Sequence, residues 1–387
     1  MDRVSGRPGS GATEVTLDIE LQVAMAPGAS RIMVYEGPNT DPGILDTYNK
    51  IVTDNQAKQI STCWGLSETQ SSSAIMNSEN SVFQQMAAQG QSIFAASGDS
   101  GAYDNGSTLS VDDPASQPFM TGTGGTQLFV NSGETYNHET AWNNGSQSGG
   151  AGGGGISAVW SIPSYQQGLI SASSKGSTTM RNVPDISINA DQYTGYSIYY
   201  GGEWWIFGGT SCSAPLWAAF TARVNQQRLA NGMSVLGFAN PPLYQIGTGT
   251  NYSLDFHDIA DGNTNLYYAS VAGFDDATGW GSFNGANLLA DLSGPPQPLK
   301  PPAAPQNLTA SAGNAAVTLS WSASAGATGY SIYRGTSSGG EGSAAFKTGI
   351  TATSFTDSGL TNGTTYYYRI TAGNSAGTSG FSEPRKR

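Results

Sequence analysis

The run Pro295-Pro296-Gln297-Pro298-Leu299-Lys300-Pro301-Pro302 constrains this chain more than any other feature. Proline fixes φ and removes a backbone donor, so such a run is a stiff extended spacer that neither a helix nor a sheet interior can absorb. The expected organisation is an unstructured stub at 1–13, a large domain at 14–292, a linker at 293–302 and a small module at 303–387. No stretch approaches the roughly 20 apolar residues that span a bilayer, which argues against a membrane protein. Asp and Glu number 28 against 16 Lys and Arg, a net charge of −12, and the only basic cluster is Arg385-Lys386-Arg387. Such a surface cannot release many counterions from a phosphate backbone, so nucleic acid is excluded as a partner. The 52 Gly, 18 Tyr and 8 Trp point to a packed, turn-rich fold of the kind common outside the cell. Met1 to Thr13 contain no apolar core of a signal peptide.

Behind the linker, Val317–Trp321, Gly329–Tyr333, Ser354–Asp357 and Thr365–Ile370 alternate apolar and polar residues and are separated by turns such as Asn362-Gly363. This pattern predicts an all-β antiparallel sandwich. Trp321, Tyr330, Leu360, Tyr366 and the ending Ala372–Gly377 resemble a fibronectin type III domain. That resemblance implies a spacer, or a module that binds a polysaccharide or surface ligand, and no catalysis.

Before the linker, Arg31–Tyr35, Ile60–Trp64 and Ser92–Ala96 read as strands. They alternate with helices expected from about Glu14 to Ala26, from about Asp41-Pro42, and up to Gln89 with Gly90 as the stop. This order predicts an α/β domain, a parallel sheet with flanking helices, whose chemistry sits beyond the carboxyl ends of the strands. The residues before the first helix cannot supply a strand, so the domain reads as lacking its N-terminal part.

Gly208-Gly209-Thr210-Ser211 followed by a helix sets a serine hydroxyl at a helix mouth, with backbone amides nearby for a developing oxyanion. Taken alone, Thr210 or Ser211 reads as an ordinary N-cap. A nucleophilic serine needs a base, yet the two histidines are His138-Glu139 and His257-Asp258, and neither has a His-Gly-Thr setting. Carboxylates are the remaining candidates. Glu14 and Asp18, at i and i+4, share one helix face, with Leu17 and Leu21 on the neighbouring stripe and Glu20 off it. Asp99, in Ser97-Gly98-Asp99-Ser100-Gly101, follows an apolar strand. Asp112 and Asp113 read as a solvated loop. Cys63 and Cys212 exclude a thiolate zinc finger and a disulfide scaffold; one bridge stays open, with two isolated buried thiols favoured.

Glu-x-x-x-Asp, Ser-Gly-Asp-Ser-Gly and Gly-Thr-Ser-x-x-x-Pro, in this order, resemble the sedolisin family of serine-carboxyl peptidases, which have a subtilisin-like fold. The likeness extends through Ala26–Ala29, Trp64-Gly65, Gly124–Thr126, Gly153–Ser157 and Val183–Ser187. It implies Ser211 as nucleophile, Glu14 as its base, Asp18 as the acid orienting Glu14, and Asp99, protonated, as oxyanion donor. It also implies that Trp64, Gly65, Gly153 and Gly154 are edges for an extended peptide substrate. The turns around Asp258 and Asp275 resemble the family's calcium site, with side chains from those two residues and carbonyls from Ile259, Val271 and Gly273 holding one structural Ca2+. Val271 stands where the family has Gly. The resemblance further implies a secreted, monomeric, acid-acting endopeptidase, with a noncatalytic extracellular scaffold carrying a vestigial site as the alternative.

Overall fold

The computed structural model describes residues 9, 11–145, 149–170, 174–294, 301–324, 326–374 and 376–386. The chain divides into two units, Met1–Pro295 and Pro296–Arg387. The division falls inside the expected linker, whose residues 295–300 lie outside the described ones, while Ser293 closes a helix. The expected stub is shorter than 1–13: residues 1–8 and 10 lie outside the described ones, and Ala12 and Thr13 are already helical.

The first unit opens with helix α1 (Ala12–Met25) and helix α2 (Asp41–Asp54). The latter is capped by Thr40 Oγ1, which accepts from the Gly43 amide, and has Pro42 in its first turn. Strand β1 (Gln59–Thr62) leads to helix α3 (Ser73–Ala88) and strand β2 (Ser92–Ala96). Strand β3 (Thr121–Val130) pairs parallel to β2, and β2 parallel to β1. The other edge of β3 is shared between β4 (Tyr136–Ala141), antiparallel, and β5 (Ile186–Asn189), parallel. A hairpin of β6 (Tyr196–Tyr200) and β7 (Glu203–Phe207) then delivers the chain to helix α4 (Thr210–Ala230).

Helix α4 is the axis of the domain. Trp217 and Phe220 pack with Phe94 of β2, Ile186 of β5 and Phe283 in the main core. Ser213 Oγ donates to the Gly124 carbonyl and Trp217 Nε1 to that of Ser187, fixing the helix to β3 and β5. On the other side of the sheet, Tyr48, Phe83, Met86 and Ile93 form a second core under α2 and α3. Leu17 and Leu21 seat α1 against Cys212 and Leu216 of α4 and Ile198 of β6. Each buried leucine is worth roughly 1.5–3 kcal/mol, enough to dock one short helix. A fully buried ion pair, Arg181 to Asp185 at 2.6 Å, braces the centre, where Asp185 also accepts from Tyr244 and the Gly122 amide.

The apolar run at 31–35 is not a strand. Its backbone makes no hydrogen bond among the described residues, and Arg31–Glu36 and β1 both line a cavity of about 650 Å³. Among the described residues the outer edge of β1 is therefore unpaired, and Ile32, Met33, Val34 and Tyr35 stay partly exposed. Propensity supplied an extended backbone, and a ladder needs a neighbour.

The second unit is the expected sandwich. One sheet joins Thr309–Gly313, Ala316–Ser320 and Ser354–Ser358; the other joins Lys347–Ile350, Gly329–Gly335, Tyr367–Asn374 and Gly377–Thr378. Trp321 and Tyr330 are buried between them, with Leu360 and Tyr366 packed against that core.

Candidate active site

The carboxyl ends of β1 and β2, one face of α1 and the first turn of α4 meet at one place. Glu14 and Asp18 are stacked on α1 by their i, i+4 spacing, one residue round from the buried leucines. Cys63 lies just past β1, Asp99 just past β2, and Ser211 in the first turn of α4. Residue 215 is a proline and cannot donate to the Ser211 carbonyl four residues back. That carbonyl instead lies 3.4 Å from Cys63 Sγ, whose thiol also reaches Asp18 Oδ1 at 3.2 Å.

Asp99 is held by Thr210. The Thr210 amide (2.7 Å) and hydroxyl (2.9 Å) both approach Asp99 Oδ1. The other oxygen, Oδ2, lies where a Cβ on Gly209 would stand 2.7 Å away, so a side chain there would collide with it. Gly209 also has φ near 105°, a conformation that L side chains avoid. Asp99 is reachable by solvent from the cleft, yet its carboxyl is surrounded by protein.

All three acids are shifted toward the neutral form. Burial raises Glu14, opposed by Ser211 and Cys63 and reinforced by the charge of Asp99. Burial raises Asp18 to about 7, opposed by Cys63 and reinforced by Glu14. Burial raises Asp99 against the two Thr210 donors. Neither histidine is in this cluster: His138 stacks on Phe129 at 4.6 Å between ring centres and His257 on Tyr136 at 3.8 Å.

Residues 13–236 match the family model described as "Subtilase family", and residues 303–387 the one described as "Fibronectin type III domain". A solved structure of Pseudomonas sedolisin, a serine-carboxyl proteinase complexed with two molecules of pseudo-iodotyrostatin, aligns with a TM-score of 0.67 at 33% identity. The alignment covers 74% of this chain and 81% of that one. The chain belongs to the sedolisin family. Kumamolisin from Bacillus sp. (strain MN-32) is 39% identical over 299 residues, 74% of this chain and 52% of its own. Sedolisin from Pseudomonas sp. (strain 101) is 35% identical over 298 residues, covering 72% and 49%. The chain thus spans about half the length of these curated relatives.

Within this sedolisin domain, Trp64 and Gly65 follow Cys63 just past the end of β1. Trp64 Nε1 donates to Asn39, and a Cβ on Gly65 would stand 2.2 Å from Asp112 Oδ1. Of Gly153 and Gly154, expected as further edges for an extended peptide, the first packs against the loop that carries Asp99. The Gly153 amide donates to the Gly98 carbonyl, its own carbonyl accepts from Ser97, and Gly154 is buried with its carbonyl on Asn265. Both are buried, and Gly153 braces the Asp99 loop from inside. Asp112 and Asp113 are likewise no solvated loop: both are buried, and Gln117 donates to Asp113. Cys63 and Cys212 are free thiols. Thr210 and Cys63 are the site residues that motif reading passed over.

The turns around Asp258 and Asp275 form a second cluster. Asp258 accepts from Tyr252 OH and the Gly273 amide; Asp275, fully buried, accepts from the amides of Val271, Ala277 and Thr278. Among the described residues, no hydrogen bond engages the carbonyls of Ile259, Val271 or Gly273. Two carboxylates beside three uncommitted carbonyls form a hard-oxygen donor set that fits Ca2+.

Proposed function

We propose that the first unit is a serine-carboxyl endopeptidase that hydrolyses peptide bonds in acid. One observation carries the reading: among the described residues, the groups poised around Ser211 as base and oxyanion donor are carboxyls, Glu14 and Asp99, each backed by its own partner. Ser211 Oγ attacks the scissile carbonyl carbon as its proton passes to Glu14. Glu14 then returns that proton to the leaving amine, and water repeats the relay on the acyl-enzyme. Asp18 holds Glu14 in the accepting orientation. Asp99 donates its proton to the oxyanion from Oδ2, because Oδ1 is occupied by Thr210, and a carboxylate there would repel the developing charge.

Polypeptide substrates lie along Trp64 and Gly65 as an added strand. Asp258 and Asp275, with the carbonyls of Ile259, Val271 and Gly273, hold one Ca2+, which crosslinks two turns and takes no part in bond cleavage. Secretion as a monomer fits this activity, as does a fibronectin-type module that tethers the enzyme to a polysaccharide or surface ligand. Hydrolysis of a denatured protein across pH 2 to 8 by parent and Ser211→Ala tests the reading. An acid maximum lost in the variant supports it, and activity that survives the substitution overturns it.

A further inference from the structure

Cys63 has no part in the relay, yet it stands inside it. Its Sγ is 3.2 Å from Asp18 Oδ1, and one ligand atom each from Glu14, Asp18 and Cys63 lie within 4.8 Å of one another. A second observation concerns Glu14 Oε1, which is closed off from solvent and has no hydrogen-bond partner among the described residues. The donors are one thiol sulfur and two carboxylate oxygens. That mixture is wrong for Ca2+ or Mg2+, which take oxygen alone, and suits Zn2+, which accepts both. Bond lengths of about 2.0–2.3 Å set the edge of a tetrahedral zinc site at roughly 3.5 Å. The Cys63–Asp18 edge, at 3.2 Å, is close to that length, and none of the three edges exceeds 4.8 Å.

We propose that Glu14, Asp18 and Cys63 bind Zn2+, and that the bound ion switches the peptidase off. As the Zn–S bond forms, the S–H bond breaks, and its proton leaves to solvent together with any proton held by Glu14 or Asp18. The ion takes the lone pairs with which Glu14 would accept the Ser211 proton. Water or Ser211 Oγ fills the fourth position, so the nucleophile loses its base. The effect on turnover rests on the peptidase reading; the binding itself does not.

The full chain, stripped of metal and resupplied with Ca2+, is titrated with Co2+, whose thiolate charge-transfer band in the near ultraviolet reports sulfur ligation. We expect a band that saturates at one equivalent, is displaced by Zn2+, vanishes in Cys63→Ser and persists in Cys212→Ser. Asp18→Asn, which keeps the thiol, should weaken Co2+ binding at least tenfold, and the Zn2+ concentration that halves hydrolysis should rise at least tenfold in Cys63→Ser. No thiolate band, or a band that survives Cys63→Ser, would overturn the site. A Cys63-dependent band in a protein without peptidase activity would leave the metal site standing and remove the catalytic reading; hydrolysis without the band would do the reverse.

Discussion

Thr210 grips Asp99 twice through a single oxygen, with its amide at 2.7 Å and its hydroxyl at 2.9 Å from Oδ1. Both donors favour the ionised carboxyl, so they work against the burial that raises Asp99. Thr210→Val removes the hydroxyl and keeps the amide. We expect kcat to fall about tenfold, the equivalent of one hydrogen bond. The alkaline limb of the pH profile should move upward, because Asp99 then keeps its proton longer. A downward shift would mean that ionised Asp99 is the active form.

Removing the nucleophile and removing the histidines should have opposite outcomes. Ser211→Ala should lower kcat by roughly four orders of magnitude or more. His138→Ala with His257→Ala should leave the catalytic rate near that of the parent. Each loses one ring stack, worth about 0.5–1.5 kcal/mol of stability. Steady-state kinetics beside thermal melts separates these effects, and a catalytically dead double variant that still folds would return a histidine to the mechanism.

Stability itself should favour acid. Burial raises Glu79 to about 8, with Asp113 as its close neighbour, and raises Asp113 and Asp104 to about 6. An acid whose folded pKa exceeds its unfolded one binds protons preferentially in the native state. Its contribution is complete below the unfolded value near 4 and is lost as pH climbs through 6 to 8. Urea unfolding should therefore give a higher midpoint at pH 4 than at pH 8, with a smaller difference in Glu79→Gln. A midpoint that rises with pH would contradict the burial of these carboxyls.

Calcium removal should lower the melting temperature of the first unit and leave the second unchanged. A ligand bound only by the folded state adds RT ln(1 + [L]/Kd), about 2.7 kcal/mol at a hundredfold excess. Asp275→Ala should melt at one temperature with or without chelator. A calcium response that persists in that variant would locate the ion elsewhere.

How much of this was legible in the sequence depended on how local the signal was. Glu14 and Asp18 could be placed together because helical spacing alone puts i and i+4 on one face, and Ser211 because Gly209 and Pro215 bracket it. Thr210 was hidden because its motif position reads equally well as a cap, and its partner lies 111 residues away. Asp112 and Asp113 looked solvated because adjacent acids usually are; Asp113 is buried where Gln117 and Glu79 bond it, and Asp112 where burial and the neighbouring carboxyls push it toward the neutral form. Gly153 shows a related limit: a glycine run marks close backbone approach, and the neighbour it admits here, the protein's own Ser97–Gly98, could not be named from the run itself.

The unpaired edge of β1 carries a cost of a different kind. A row of amides and carbonyls without a strand partner among the described residues, lining one cavity with the partly exposed Ile32 and Val34, is a template on which an extended chain can assemble. Two molecules in that condition would rather adhere to each other than stay apart. A sheet margin away from the chemistry is thus where self-association should start, and a lysine placed at Ile32 or Val34 should raise the concentration at which this polypeptide stays dispersed.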